Sequence, residues 1–328
     1  MESLIDTLRK TYRMTGTPVF HNKYCVNASS FGYDCDACVR LCPEGLFTDG
    51  KKTKTPDFSK CTKCGICAAA CPAKAISPVD TQVRAFLMAL ARDEEISAGC
   101  LEDETGWSVS CDCLAALSWE QVACAALRNG MVISLRACGS CEKKACAAKI
   151  METLTKAKHF LGDDLFFDKV RILEKGDAYE PKGNAISRRE LFTFFKRMPL
   201  DTAAGMLPEL KTGERSELFY RALLRDLVRT HYDETPKEQR LRYPVTLPRI
   251  QNNCDGCGMC ARMCPEKALA VQTDADGNKM VTVEAWKCVS CGKCVRSCTK
   301  KAIDGMTEMG VPHLGKVLLK RLKKETTV

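Results

Sequence analysis

Apolar residues recur at helical spacing at Leu4, Ile5, Leu8 and Tyr12, with Arg9, Lys10 and Arg13 on other faces, which predicts an N-terminal helix within residues 1–24. A second stripe, Val83, Phe86, Leu87 and Leu90, predicts a helix over Asp80 to Arg92. Beyond it the pattern changes repeatedly. Glu95 to Cys100 reads as a short strand ending at a glycine turn. Leu114 to Asn129 reads as a helix, with Gly130 placed to end it. Met131 to Leu135 is a buried-strand run, Cys146 to Leu161 a helix, and Lys169 to Leu173 another strand. Strand, helix, strand, helix, strand predicts a small parallel α/β domain within residues 79–180.

A helical segment is expected over residues 181–245. Ser187-Arg188-Arg189-Glu190 reads as a capping box ahead of Leu191, Phe192, Phe194 and Phe195, and Ser216 to His231 carries a further apolar stripe. Pro236, Pro244 and Pro248 then read as a linker. Period-two alternation around turn residues predicts two hairpins. One is Leu46-Phe47-Thr48-Asp49-Gly50. The other joins Ala270-Val271-Gln272 to Met280-Val281-Thr282-Val283 across Asp274 to Asn278. Within residues 307–328, Lys316 to Lys324 reads as a basic helix, by default a solvated one and alternatively a docking helix for an acidic partner.

Composition alters this picture at one residue type. The chain has 328 residues, enough for two or three domains, and 23 of them are cysteine. The opening MESLIDTLRKTYRMTG has no apolar h-region, small-residue cleavage site or twin-arginine pair, and no apolar stretch approaches the ~20 residues that span a bilayer. The cysteines are therefore expected in a cytoplasmic, reducing compartment as metal ligands rather than as disulfides. Oxygen-sensitive centres in such number would suit an anaerobe.

Most of the cysteines fall in runs. Cys254-x2-Cys257-x2-Cys260-x3-Cys264-Pro265 is followed by Cys288-x2-Cys291-x2-Cys294-x3-Cys298, and Cys61-x2-Cys64-x2-Cys67-x3-Cys71-Pro72 repeats the spacing. Two-residue gaps let a tight loop wrap one face of a small cube of metal and sulfide, with backbone N–H groups aimed at the sulfurs. The fourth cysteine then leads away, and a following proline suits a helical first turn. Thr299 stands where that proline is usual. Zinc also binds CxxC pairs, but two such pairs serve it, and a third step fits a cubane better. One run is irregular: Cys35-x2-Cys38-x3-Cys42-Pro43 puts Gly32 at the first position. Cys25 is the nearest substitute, carried there by an insertion over residues 26–34. Otherwise it is a free thiol beside a three-iron or exogenously completed site.

These motifs resemble the bacterial 2[4Fe-4S] ferredoxin family, in two modules at about residues 25–78 and 246–306, roughly a third of the chain. In that family the fourth cysteine of each run serves the other run's cluster. The resemblance implies four [4Fe-4S] clusters. The first takes Cys25, Cys35, Cys38 and Cys71, and the second Cys61, Cys64, Cys67 and Cys42. The third takes Cys254, Cys257, Cys260 and Cys298, and the fourth Cys288, Cys291, Cys294 and Cys264. It also alters the charge. The formal net charge of +9 counts cysteines as neutral. A cluster with four thiolates carries roughly −2, so four bring the loaded protein to about +1. The argument for nucleic-acid binding from charge mostly disappears.

Seven further cysteines lie in the insert: Cys100, Cys111, Cys113, Cys124, Cys138, Cys141 and Cys146. Cys100 and Cys138 follow predicted strand ends, where ligands bind in parallel sheets. Cys138-Gly139-Ser140-Cys141 is a CxxC on that loop, and Cys111 or Cys113 opens the next helix. Cys124, among alanines, reads as a small core residue; Cys146 fits either role. The insert also resembles, over about 80 residues, the small [2Fe-2S] subunit of methyl-viologen-reducing hydrogenases. That implies a fifth centre drawn from Cys138, Cys141, Cys100, Cys111 and Cys113. A non-metal domain, a redox thiol pair and a zinc site stay open.

The expected fold class is α+β: two ferredoxin-like modules flanking a small parallel α/β domain and a helical segment. No nucleophile–base arrangement, nucleotide-binding glycine loop or spaced histidine set is present, the histidines being His21, His159, His231 and His313. The expected function is electron transfer as a subunit or dedicated donor of a larger anaerobic oxidoreductase, with redox proteins as partners, no nucleic acid and no integral membrane segment. The alternative is a reductase whose Cys138 and Cys141 are redox thiols.

Overall fold

Two dipeptide strands, β1 (Val19–Phe20) and β2 (Ile76–Ser77), pair antiparallel and close the first cysteine module. The computed structural model describes residues 18–28, 35–47, 56, 58–78, 85–87, 89–90, 94–103, 106–180, 216–234, 243–311 and 315–322. Within the module, α1 (Ala37–Leu41) and α2 (Ile66–Ala70) each end at the fourth cysteine of a run, Cys42 and Cys71. The expected helix over 1–24 is corrected at its end: after β1 comes only a 3-10 turn, Asn22–Tyr24. The β1–β2 pairing takes His21's N–H to the Ala75 carbonyl at 2.8 Å, and an extended strand cannot also be helical. Leu4 to Tyr12, and Thr48 to Gly50 of the first hairpin, lie outside the described residues.

The insert contains the predicted parallel sheet with one strand more than expected. Its order is β4 (Val109–Cys111), β3 (Ile96–Cys100), β5 (Met131–Ser134), β6 (Val170–Leu173). All neighbours run parallel. On one face Ile96, Ala98, Met131, Ile133 and Val170 join the main core. On the other, Val132 and Leu173 pack with Trp107, which stacks on Tyr179 at 5.7 Å. Gly99 is glycine because the Trp107 ring lies on it: a Cβ would sit 2.2 Å from the indole nitrogen.

The predicted helix 114–129 is two elements, a 3-10 turn at Leu114–Ala116 and α3 (Trp119–Arg128). Ser118 makes the break. Its hydroxyl accepts from Gln121 N–H, while its own N–H donates to the Gln121 side chain at 2.8 Å. Gly130 ends α3 as expected, at φ +92. A longer helix, α4 (Lys144–Leu161), stops at Gly162, and an unforeseen helix, α5 (Asp163–Lys169), starts there with Asp163 and Asp164 in its favourable first turn. Residues 85–87 and 89–90 are helical, and Ser187 to Phe195 lies outside the described residues.

The helix α6 (Ser216–Glu234) ties the insert to the second module. Tyr220 is fully buried edge-on to Phe86, and its carbonyl accepts from the Cys124 thiol. The guanidinium of Arg225 lies 4.8 Å from the Trp286 ring centroid.

The proline-marked linker is corrected: β7 (Tyr243–Ile250) is a strand. The module continues with α7 (Met259–Met263), β8 (Leu269–Thr273), β9 (Lys279–Glu284), α8 (Lys293–Arg296), β10 (Ile303–Val311) and β11 (Lys316–Leu322). β7 pairs antiparallel with β10. Pro244 and Pro248 share the parity of Thr246, whose carbonyl accepts instead from Ser290 Oγ at 2.9 Å. Their missing N–H groups therefore face away from β10, where a strand tolerates proline. The β8–β9 hairpin forms as its alternation predicts. The expected C-terminal basic helix is overturned, since β11 pairs antiparallel with β9 and makes a three-stranded sheet, order β11-β9-β8. Val317 and Leu319 are half-buried while Lys316 and Leu318 are exposed, the alternation of a strand.

Candidate metal centres

The three complete runs fold alike. The residue before the second cysteine is left-handed: Lys63 (φ 57), Gly256 (φ 68) and Ser290 (φ 57). The residue after it is a left-handed glycine that starts a short helix: Gly65 (φ 72), Gly258 (φ 75) and Gly292 (φ 70). Three residues past the fourth cysteine the backbone is left-handed again, at Lys74, Lys267 and Lys301, and at Gly45 in the irregular run. Such a conformation costs a non-glycine residue about 1–3 kcal/mol and persists only where surroundings impose it. Here it folds the backbone into nests of N–H groups around sulfur. Lys63 N–H donates to Cys61 Sγ at 3.3 Å, Ala75 to Cys71 at 3.2 Å, Ala268 to Cys264 at 3.3 Å and Ala302 to Cys298 at 3.2 Å.

The irregular run becomes intelligible when the modules are overlaid by pairing. Phe20 faces Ile76 as Ile250 faces Ile303. His21 N–H then donates to Ala75 O as Gln251 N–H donates to Ala302 O, both at 2.8 Å. The turn that follows leads to Cys25 in one module and Cys254 in the other. Cys25 thus stands one residue further along from the counterpart of the first cysteine of a complete run. The Asn27 side chain clasps the ends of the longer loop: Nδ2 donates to Cys35 O at 2.8 Å, and Oδ1 accepts from Cys35 N at 3.0 Å.

The thiols converge in sets. Cys25, Cys35, Cys38 and Cys71 line one cavity of about 50 Å³, several times the space a water needs. Burial first, then Cys71, Cys35 and Cys25, push the Cys38 thiol up to about 12. Cys42, Cys61, Cys64 and Cys67 line a second cavity. Burial, then the other three, hold Cys67 well above the ordinary thiol value. Cys294 is raised by burial and then by Cys288, Cys291, Cys264 and Cys260. Cys260 is raised by burial and then by Cys254 and Cys257. The Cys298 loop is held to the Cys254 loop by Gln251 N–H to Ala302 O and by Asn253 Nδ2 to Lys300 O at 3.0 Å.

A set of buried thiols, each opposing its neighbours' ionisation, is unfavourable as thiolates unless a cationic core offsets it. That fits a metal–sulfide core. A lone zinc would need ligands within reach of one ion.

In the insert, Cys100 and Cys111 end the adjacent strands β3 and β4 in register. Burial first, then Cys100, Cys113 and Cys141, push Cys138 up to about 11. Cys111 is raised by burial, then by Cys113, Cys100 and Cys138 among its neighbours. All five expected residues thus gather at one end of the sheet. Cys124 is buried in the core, as read. Cys146 is the residue that sequence reasoning left open. It is buried with Cys64 and Ala115 against Cys113. Its thiol donates toward Cys64 and Cys113, which lowers both and holds its own proton on. Nothing in the spacing signals this convergence, because α4 and the run at Cys61 are distant in sequence. Gly65 lets the two surfaces touch; a Cβ there would lie 2.4 Å from Ala116 Cβ.

The buried carboxylate of Glu120 in α3 links these parts. Burial raises it, but Lys74, Arg221 and hydrogen bonds from its own N–H and from Ser118 together hold it below the usual carboxylate value. Arg221 Nη2 lies 3.5 Å from Glu120, and Arg221 also donates to the Cys288 carbonyl.

Comparison with known proteins agrees with this chemistry. Residues 253–302 match the 4Fe-4S dicluster domain family and residues 54–77 the 4Fe-4S binding domain family. Pyruvate synthase subunit PorD of Methanothermobacter marburgensis is 49% identical over 43 residues, 13% of this chain and 49% of the relative. The chain thus spans about half the length of that curated relative. No solved structure matches. No helix among the described residues is long and apolar enough to cross a membrane. The chain thus carries two stretches that match ferredoxin-type 4Fe-4S domain families.

Proposed function

We propose that the chain holds four [4Fe-4S] clusters and works as the electron-transfer subunit or dedicated donor of a larger anaerobic oxidoreductase. The first cluster sits on Cys25, Cys35, Cys38 and Cys71, and the second on Cys61, Cys64, Cys67 and Cys42. The third sits on Cys254, Cys257, Cys260 and Cys298, and the fourth on Cys288, Cys291, Cys294 and Cys264. Each cluster, when bound, takes up and releases one electron. The protein's own part is to bury the thiolates, exclude water and aim N–H groups at sulfur. The observation that carries this reading is the cavity that Cys25 lines together with Cys35, Cys38 and Cys71. The pyruvate synthase subunit named among the relatives illustrates the kind of complex such a chain would serve.

The insert holds a further iron–sulfur centre in this reading, on a set drawn from Cys100, Cys111, Cys113, Cys138 and Cys141. The competing reading is a reductase with Cys138 and Cys141 as redox thiols, which requires turnover that survives with no iron in the insert. Iron and acid-labile sulfide counts on anaerobically reconstituted protein test the assignment. Cys25→Ala is expected to lower iron content and alter one EPR signal; full iron with an unchanged spectrum would refute Cys25 as a ligand. A Cys100→Ala/Cys138→Ala protein is expected to lose iron without disturbing the ferredoxin-type signals. No loss would leave the insert without a centre.

A further inference from the structure

We propose that the first and fourth cysteine quartets form the junction between the two modules, so that electrons cross directly there and the centres form one linear conductor. This rests on the four-cluster reading. Cys291 of the second module packs on the small core of Val26, Ala73 and Ala75, the core against which Cys25, Cys35 and Cys71 also pack. Lys293 lies two residues past Cys291, and so carries its charge beside this joint. The joint is held from its flank as well. Lys74, just past Cys71, acts on Glu120, which pairs with Arg221, which donates to the carbonyl of Cys288.

The remaining neighbours give the order. The second quartet touches the insert through Cys64, Cys146 and Cys113. The fourth quartet meets the third within the second module, where Cys260 and Cys298 pack against the same core as Cys294, Cys264 and Cys288. The sequence of centres is therefore insert, second, first, fourth, third. It opens to solvent at Cys257, the one exposed cysteine among those described. Each hop oxidises one cluster by one electron and reduces its neighbour by one, with no bond made or broken. A one-electron reductant at one end and an acceptor protein at the other complete the balance.

The test is a redox titration followed by EPR on the full reconstituted chain. The first cluster is identified as the one whose signal changes in Cys25→Ser. Lys293→Gln removes a positive charge and is expected to shift the potential of that cluster downward along with the fourth, although Lys293 belongs to the other module. Lys293→Arg is expected to restore both. If Lys293→Gln moves only the second module's signals, the junction is refuted. Wild-type protein without iron on the first quartet would instead overturn the four-cluster reading, a result separable by metal analysis before any variant is titrated.

Discussion

Glu120 shows how much of the assembly hangs on single side chains. Its carboxyl lies below the ordinary value in the folded protein because Lys74, Arg221 and two local hydrogen bonds together outweigh its burial. On acidification the unfolded chain therefore takes up its proton first, near pH ~4.3. The carboxylate's stabilisation is fully present above that pH and is lost as pH falls through the lower folded value. Glu120→Gln is expected to flatten this part of the acid limb in denaturant titrations at stepped pH; an unchanged limb would mean the carboxylate contributes nothing. Arg221→Met strands a buried charge and is expected to cost about 3–5 kcal/mol. A loss below about 1 kcal/mol would show that Lys74 suffices. Asn27 carries a smaller load, two hydrogen bonds of about 0.5–1.5 kcal/mol each. In Asn27→Ala, iron should pass to a chelator faster than in wild type; an equal rate would remove the clasp from the account. The loop conformation shared by the cysteine runs was readable because cysteine spacing is local. Cys146 was not, since its partners come from a distant run.

At the scale of elements, legibility followed the length of the periodic signal. β8 and β9 alternate around a turn of five residues and were read directly. β1 and β2 are two residues each and carry no period, so only pairing reveals them. β7 was hidden by its prolines, tolerated because they face away from the partner strand. β11 misled because Val317, Leu318, Leu319 and Leu322 satisfy both a helical stripe and a strand, and only the open edge of β9 decides between them. Its role can be tested. Leu322 and Lys279 lie over Gly256, in the loop between Cys254 and Cys257. Arg321 also pairs with Asp274 at 3.0 Å. A chain ending at residue 315 is expected to lose the third cluster to air fastest, seen as early bleaching and selective loss of one EPR signal. Uniform bleaching would argue that β11 shields nothing.

Across the whole molecule, the two modules were visible in the sequence as a duplication, but their mutual placement was not. That placement depends on the insert, whose helix α4 meets the first module at Cys64 and the second at Glu308, and on α6, which binds the insert to the second module. The approach of Gly65 to Ala116 bears on how the protein is built. The insert can dock only against a loop already wound into its left-handed form, and in the four-cluster reading the second cluster would hold that loop wound. Metal loading of the second quartet would therefore precede docking of the insert, making maturation an ordered process. Iron-free protein is then expected to show a protease-accessible insert that becomes resistant as iron and sulfide are supplied; equal resistance before loading would mean that the insert docks first.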